Sequence, residues 1–563
     1  MDKKWVIKDK ADSKLVDSLQ SSLRIDRIIC DLLAQRGICT FEEAKDFFRP
    51  DLSSLHDPFE MKNMGIAVER LTQAIFSDEK ILIYGDYDVD GTTSVALAYG
   101  FLKSFSSNIF TYIPDRYTEG YGVSKKGMQW AIDHHVGLII TLDCGIRAVE
   151  TITMAADNHI DTIVCDHHLP GPILPPAVAI LDPKQHDCSY PYKELSGCGI
   201  GYKLLEGFCV QNGIDNSQLL QYLDLVAVSI ASDIVPITGE NRTLAYFGLK
   251  KLNAAPLPGL NALIKKGGLQ APLSISNVVF GIGPRINAAG RISHANAALN
   301  LLIQESEPEA IVFAEKLNLE NEERKSYDES ITKEALSLIA EDQSDKHTTV
   351  LYKKTWHKGI IGIVASRCIE HYYKPTIILT ESNEMITGSA RSVDDFDIYS
   401  AIEACSEHLE QFGGHKYAAG LTMKKSKLKE FKMLFEQKVS ECITEEHKVQ
   451  KIHIDLEIHL KDITPNFNNI LKQMGPFGPG NMQPVFISRG VELKTEARIL
   501  KEKHLKLAVF QGDSQVFDAI GFGMSDATDK IGGLFDLVYT IDENNFRGET
   551  SLQLMLKDIR VAE

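Results

Sequence analysis

The 563-residue sequence has no apolar run near the roughly 18 residues that a bilayer-spanning helix needs. Its longest apolar stretches, such as Val136–Leu142, have the length of strands, so no membrane association is expected. The start, Met1-Asp2-Lys3-Lys4-Trp5, is not followed by the apolar stretch of a secretory signal, and the expected location is the cytoplasm. The ten cysteines stand singly, without one Cys-x-x-Cys pair. That excludes a zinc ribbon and a disulfide scaffold and leaves reduced thiols. Positive charge is scarce too: 60 Lys and Arg face 77 Asp and Glu, for a formal net charge of −17. Such a balance argues against a protein that coats nucleic acid without preference. What remains is a globular composition, 44% apolar and 24% charged, which excludes disordered, collagen-like and coiled-coil chains. The length predicts about three to four domains.

Residues 1–75 read as short helices and turns, with helical spacing at Ile25–Leu33 and Phe41–Phe48. The period then changes. Short apolar runs at Lys80–Tyr84, Ile109–Ile113, Leu138–Leu142, Thr162–Val164 and Val178–Leu181 alternate with helical stretches at Thr92–Phe105, Ser124–His134 and Ile146–Asn158. This alternation predicts a parallel, doubly wound α/β sheet covered on both faces. A long apolar helix is expected over Leu219–Ser232. From Pro308 to about Ala340 the chain is rich in Glu, Lys, Leu and Ala without interior Pro or Gly, as one long helix or two joined ones. A second α/β unit is expected at about 347–440, with strands Thr348–Tyr352 and Thr376–Leu379 and helices Ile360–His371 and Ile398–Phe412. The last part is strand-rich (Lys451–Ile458, Pro484–Phe486, Leu505–Val509, Leu552–Leu556), as in a small β-barrel.

The first strand of the parallel sheet runs into Gly85-Asp86-Tyr87-Asp88-Val89-Asp90-Gly91. Three carboxylates at alternate positions then stand at the carboxyl edge of the sheet, where open α/β folds place their ligands. Closely spaced Asp oxygens suit Mg²⁺ or Mn²⁺. A helix cap or turn is the plain alternative, whereas a calcium EF-hand fails because Leu97 stands at the twelfth position. Asp143 follows the strand Leu138–Leu142, and Asp166-His167-His168 follow Thr162–Cys165. Asp233 closes the helix Leu219–Ser232, where the macrodipole disfavours it unless a cation is near. These clusters suffice for two divalent ions, an arrangement that cleaves phosphate esters by in-line attack.

Phosphate donors are expected in the second α/β unit. Gly413 and Gly414 let backbone N–H groups approach an anion, a plain turn being the alternative, His415 follows them, and Gly388-Ser389-Ala390-Arg391-Ser392 places an Arg between two hydroxyls, as a phosphate fork requires. Arg285, Asn287 and Arg291 lie in a Gly/Ala-rich, permissive segment that can also bind phosphate. Arg367 is either a phosphate ligand or a salt-bridge partner, and Tyr87, Tyr121 and Trp356 are either stacking platforms for bases or core.

Asp88-Val89-Asp90-Gly91, Asp143 and Asp166-His167-His168 resemble the motifs of the DHH phosphoesterase superfamily. Gly413-Gly414-His415-Lys416-Tyr417-Ala418-Ala419-Gly420 is similar to the signature of the DHH-associated domain. Tyr84–Asp88, Gly283–Arg291 and Trp356–Arg367 resemble the superfamily's bacterial single-stranded-DNA-specific exonucleases. So does Gly475-Pro476-Phe477-Gly478-Pro479-Gly480-Asn481, although Met482-Gln483 replace Pro-Glu there. The resemblance covers nearly the whole chain from about residue 45. It implies an N-terminal helical region (1–75), a DHH catalytic domain (76–305), a connecting helix (306–345), a DHH-associated substrate-binding domain (346–445) and an OB-like nucleic-acid-binding barrel (446–563). It implies a 5′→3′ processive exonuclease on single-stranded DNA, using two Mn²⁺ or Mg²⁺ ions, in recombination and repair. A single-strand-binding protein and a RecQ-type helicase are the implied partners. Carried over by motif, Asp88, Asp90, Asp143, His167 and Asp233 are the metal ligands, with Asp143 bridging. His168 would stand beside the scissile phosphate and Asp86 close to the metals, the seven together forming the catalytic set. Two other readings compete. One is a DHH phosphodiesterase acting on short oligoribonucleotides or small nucleotides, whose relatives commonly lack the added barrel. The other is a non-catalytic DNA-binding protein, against which the complete ligand set argues.

Overall fold

Ile81-Leu82-Ile83-Tyr84-Gly85 carries no charged side chain, and only a strand covered on both faces buries all of it. In the computed structural model, which describes residues 3–342, 346–546 and 548–562, this strand is an interior strand, second in a five-stranded parallel sheet. The strand order is Ile109–Tyr112, Ile81–Gly85, Leu138–Leu142, Asp161–Cys165, Ala179–Leu181. Gly85 pairs with Leu142 and Leu142 with Cys165. The next residues, Asp86, Asp143 and Asp166, therefore leave three adjacent strands at one level. The order reverses between the first and third strands of the sequence, the switch point at which open α/β sheets leave a crevice.

The chain divides into two units. The first holds this sheet and comprises Arg49–Arg324 with Gly475–Met482. Helix Val89–Leu102 lies buried on nearly every side, against helices Leu223–Ser232 and Gly197–Asn212. Its Gly91 is there because a Cβ would stand 2.4 Å from the Asp86 carbonyl oxygen. The single helix expected over Leu219–Ser232 is broken into Ser217–Leu220 and Leu223–Ser232, the second ending at Asp233 as expected. The Gly/Ala-rich segment Gly283–Arg291 is not conformationally loose. It is a helix, Gly283–Ile292, entered through a π turn at Val278–Ile282, and its small residues serve close packing: a Cβ on Gly290 would stand 3.0 Å from the Tyr87 carbonyl oxygen.

The second unit comprises Met1–Phe48, Lys325–Met474 and Gln483–Glu563. The Glu-rich stretch is one helix, Glu307–Glu341, which begins in the first unit. The expected end of that connection, residue 345, lies outside the described residues. A five-stranded mixed sheet follows, with Thr349–Tyr352 and Thr376–Ser382 parallel and the rest antiparallel. The helix expected over Ile398–Phe412 stops at Glu403. Gln411–His415 is instead an edge strand that pairs with Ala418–Met423, Gly413 lying opposite Gly420. Pairing across the sheet, rather than local propensity, sets this glycine-rich segment.

Strands Phe486–Leu493, His504–Phe510, Phe517–Gly521, Phe535–Phe546 and Glu549–Val561 close on themselves. The first meets the second through Glu492–Phe510, and the third runs parallel to the fifth. This is the five-stranded OB barrel, filled by Phe486, Leu507, Phe517, Leu537 and Tyr539. The N-terminus is not wholly helical: Lys4–Ile7 is a strand parallel to Lys451–Ile454, with Trp5 packed beside Ile452 and Val485. Among the described residues no helix is long and apolar enough to cross a membrane.

Candidate metal centre

Asp90 sits in the first turn of helix Val89–Leu102 and is 1% exposed. Its Oδ2 accepts from Gly197 N (2.7 Å), and its Oδ1 from Cys198 N (2.8 Å) and the Ser229 hydroxyl (2.7 Å). The N-terminus of helix Gly197–Asn212 thus faces a carboxylate, where its partial positive charge stabilises an anion. Asp143 ends the third strand in a left-handed conformation, φ 61°. Gly197 packs against it so closely that a Cβ would stand 2.6 Å from the Asp143 Cβ.

His167 lies between these acids, 6% exposed. Its Nε2 is 3.1 Å from Asp143 Oδ1, 3.5 Å from Asp233 Oδ2 and 3.9 Å from Asp90 Oδ2. Two overlapping sets, Asp90-His167-Asp233 and Asp143-His167-His168, each bring their donor atoms within 4.8 Å of one another. Asp143 Oδ1, both His167 ring nitrogens and Asp86 Oδ2 are buried with no hydrogen-bond partner. Buried polar atoms are normally satisfied. Oxygen and imidazole donors left open and converging are what a hard or borderline divalent cation takes up.

The remaining acids differ. Asp88 is in neither set; its Oδ1 caps helix Val89–Leu102 at Gly91 N (3.0 Å). Asp86 is fully buried, and its Oδ1 accepts from Gly122 N (3.1 Å), fixing the loop that carries Tyr121. Burial pushes the Asp143 carboxyl well above the usual range, and the charges of Asp90 and Asp88 push it further. Burial, then Asp90 and Asp88, raise Asp233 likewise. Asp86 is raised by burial and by Asp88, and Asp88 by burial and Asp90. Burial holds His167 below the ordinary imidazole range, leaving it neutral and able to ligate.

His168 is different from its neighbour. Its Nδ1 is 2.7 Å from Asp166 Oδ1, and its Nε2 3.1 Å from the Tyr121 hydroxyl. Burial lowers its pKa, but Asp166 outweighs burial and brings it to about 9. Asp166 also accepts from the backbone N–H groups of Ile146, His167 and His168. Burial would raise its pKa, yet the bond from His168 holds it below the usual carboxylate range. The centre therefore presents one charged imidazole, His168, beside an uncharged one, His167.

Five contributors escaped the sequence reading. Ser229 and the N–H groups of Gly197 and Cys198 orient Asp90, and Ser196 caps that helix at Gly199 N. A Ser before a Gly-x-Gly run is a cap signal, but nothing local points to Ser229. Arg116, the fifth, stacks over the Tyr87 ring at 5.0 Å.

Of the phosphate candidates, Arg285 is 9% exposed, with its guanidinium bonded to Gly281 O (2.6 Å) and Asn318 Oδ1 (3.0 Å). It packs the fold rather than facing solvent. Asn287 and Arg291 are half-buried on the same helix, whose Gly290 touches Tyr87. In the second unit Arg367 lies 3.4 Å from Glu370 and 3.9 Å from Asp328, in the salt-bridge alternative. Arg391 donates to Ser389 Oγ (3.1 Å), while Gly413, Gly414 and His415 are exposed along the edge strand. Trp356 is core, 4% exposed with its indole N–H on Glu334, whereas Tyr121 is 53% exposed.

Three family models match the chain: the DHH family N-terminal domain over residues 80–230, the DHHA1 domain over 345–441, and the RecJ OB domain over 454–558. The single-stranded-DNA-specific exonuclease RecJ of Bacillus subtilis is 35% identical over 566 residues, spanning 100% of this chain and 71% of that protein. The exonuclease of the same name from Escherichia coli is 32% identical, spanning 88% of this chain and 89% of that protein. The crystal structure of RecJ in complex with Mn²⁺ from Thermus thermophilus superposes with a TM-score of 0.86 at 25% identity, covering 100% of this chain and 80% of that one. With the Asp-rich loop, the paired histidines and the closed barrel in these positions, the chain belongs to the RecJ family of single-stranded-DNA-specific exonucleases.

Proposed function

We propose that this chain hydrolyses single-stranded DNA from the 5′ end with two Mn²⁺ or Mg²⁺ ions, acting in recombination and repair in the cytoplasm. The observation that carries the chemistry is the pair of overlapping ligand sets sharing His167, with Asp143 Oδ1 and both His167 ring nitrogens buried and unpartnered. Asp88, Asp90, Asp143, His167 and Asp233 hold the ions. When bound, the ions neutralise the carboxylate cluster and activate a water for in-line attack on the phosphodiester.

The chain's own groups do the rest. The helix Gly197–Asn212 and Ser229 keep the Asp90 carboxylate turned into the site. His168, protonated at neutral pH, faces the scissile phosphate and offsets charge developing on its oxygens. Asp166 fixes the orientation of that ring. Asp86 anchors the Tyr121 loop through Gly122 N and so keeps the Tyr121 hydroxyl on His168. Ser389, Arg391, Gly413, Gly414 and His415 bind phosphates, and Asn287 and Arg291 bind those near the metal loop. The closed OB barrel supports a polymeric substrate over a small nucleotide. A single-strand-binding protein and a RecQ-type helicase deliver that substrate.

The test uses end-labelled single-stranded and duplex DNA and RNA, and a dinucleotide, with Mn²⁺, Mg²⁺ or EDTA. Single-stranded DNA is expected to be shortened from its 5′ end in either metal and left intact in EDTA. Asp143→Ala is expected to lower the rate by at least about 100-fold while single-strand binding persists. Preference for duplex ends, or activity in EDTA, would overturn the reading.

A further inference from the structure

The segment Gly475–Met482 leads into the barrel in sequence, yet it belongs to the unit that carries the metal centre. It folds on itself. Gly478 and Asn481 exchange two N–H to carbonyl bonds of 3.0 and 2.9 Å. Asn481, 3% exposed, donates its side-chain N–H to Pro476 O at 3.0 Å.

One edge of this fold lies along residues 236–238. Ile237 N donates to Pro479 O at 2.6 Å. A Cβ on Gly478 would stand 2.4 Å from Ile237 Cδ1, and one on Gly480, whose φ is 74°, 2.9 Å from Thr238 Cγ2. Arg242, 6% exposed, donates to Gly475 O at 2.7 Å. From the other side Tyr192 and Asn241 both donate to Pro236 O, at 3.2 and 3.0 Å.

Three residues before this gripped stretch stands Asp233, at the end of helix Leu223–Ser232. Two forces oppose its position: it stands at a helix C-terminus, where the macrodipole repels an anion, and it faces Asp88 and Asp90. The next residue, Ile234, takes φ 61°, a conformation that β-branched residues rarely adopt. Its side chain is 64% exposed and so does not hold itself there by packing. Such a conformation persists where the surroundings over-determine it, and the grip three residues on supplies that determination.

We propose that Gly475–Met482 is a clasp that positions Asp233 for metal binding, so that residues far along the chain set the metal affinity of the Asp-rich centre. This rests on the reading of Asp233 as a ligand. The test compares full-length Asn481→Ala, Gly480→Val and Asp233→Ala. Mn²⁺ binding to each metal-free protein is measured by titration calorimetry, with the metal dependence of the nuclease rate beside it. Asn481→Ala, the milder change, is expected to keep the wild-type circular dichroism and to bind Mn²⁺ about 10-fold more weakly. Its rate curve is expected to shift by the same factor along the metal axis, with KM for single-stranded DNA unchanged. Gly480→Val is expected to weaken binding at least as much.

If both clasp variants bind Mn²⁺ like wild type while Asp233→Ala loses it, the clasp is overturned and the ligand assignment stands. If Asp233→Ala binds normally, both fall. A raised KM for DNA at unchanged metal affinity also overturns the clasp, because the segment would then serve substrate rather than Asp233.

Discussion

Asp182 ends the fifth strand of the parallel sheet fully buried, with Oδ1 on Lys184 N at 2.7 Å and Oδ2 without a partner. Burial pushes its pKa up to about 7. A pKa above the unfolded value means a stability contribution that is whole below about pH 4 and lost as pH rises through 7. Asp182→Asn, which mimics the neutral acid, is therefore expected to leave the melting temperature nearly unchanged at about pH 4 and below and raise it at pH 8. The gain is at most a few kcal/mol, read by calorimetry on metal-free protein. His168 carries the other titration. With its pKa near 9 set by Asp166, the rate should fall above about pH 9, and Asp166→Asn should move that limb toward neutral. An unmoved limb in a pH-rate profile would remove His168 from the charged role. Asp90, Asp143, His167 and Asp233 were legible in the sequence because each stands where an apolar run ends, a position that local pattern reveals. Ser229 was not, because it reaches Asp90 across 139 residues. Trp356, read as either platform or core, is core, and its indole N–H reaches Glu334 across 22 residues.

Two helices do the positioning, and each offers a test. Helix Val89–Leu102 approaches the strand end so closely at Gly91 that Gly91→Ala places a methyl 2.4–2.7 Å from the Asp86 backbone. Neither side can yield without moving a ligand. The variant is expected to lose about 3 kcal/mol or more of stability in urea unfolding, and most nuclease activity. Helix Gly197–Asn212 acts through its N-terminus. Ser229→Ala removes the hydroxyl that donates to Asp90 and accepts from the Ser196 hydroxyl. Such orienting bonds are worth roughly 10- to 100-fold in metal affinity, so Mn²⁺ binding should weaken within that range while the fold stays intact. The parallel sheet was legible because strands buried on both faces read as continuous apolar runs. The edge strand Gln411–His415 was not: Gly413 and Gly414 have no strand propensity, and only the partner Ala418–Met423 makes them extended. The barrel was legible as a class rather than strand by strand. Alternating burial along His504–Phe510 marks one strand clearly, whereas the closure through Glu492 and Phe510 is a tertiary fact.

The net charge of −17 is a sum over unlike surfaces. Part of it is the carboxylate cluster, which two divalent cations neutralise, and part is the Glu-rich helix Glu307–Glu341. Positive potential for a single strand is local, so binding should be strongly salt-dependent. About four phosphate contacts give roughly a 50-fold loss of affinity between 50 and 200 mM salt, measurable by fluorescence anisotropy in EDTA. A flat response would place the strand elsewhere. The metal-bearing unit is also discontinuous in the chain, residues 49–324 and then 475–482. About 150 residues of the other unit are made between the two pieces. At roughly 5–20 residues per second, the ribosome needs about 8–30 s to supply them. During that interval the Asp-rich loop has emerged but its brace has not, so synthesis itself delays the appearance of a finished nuclease.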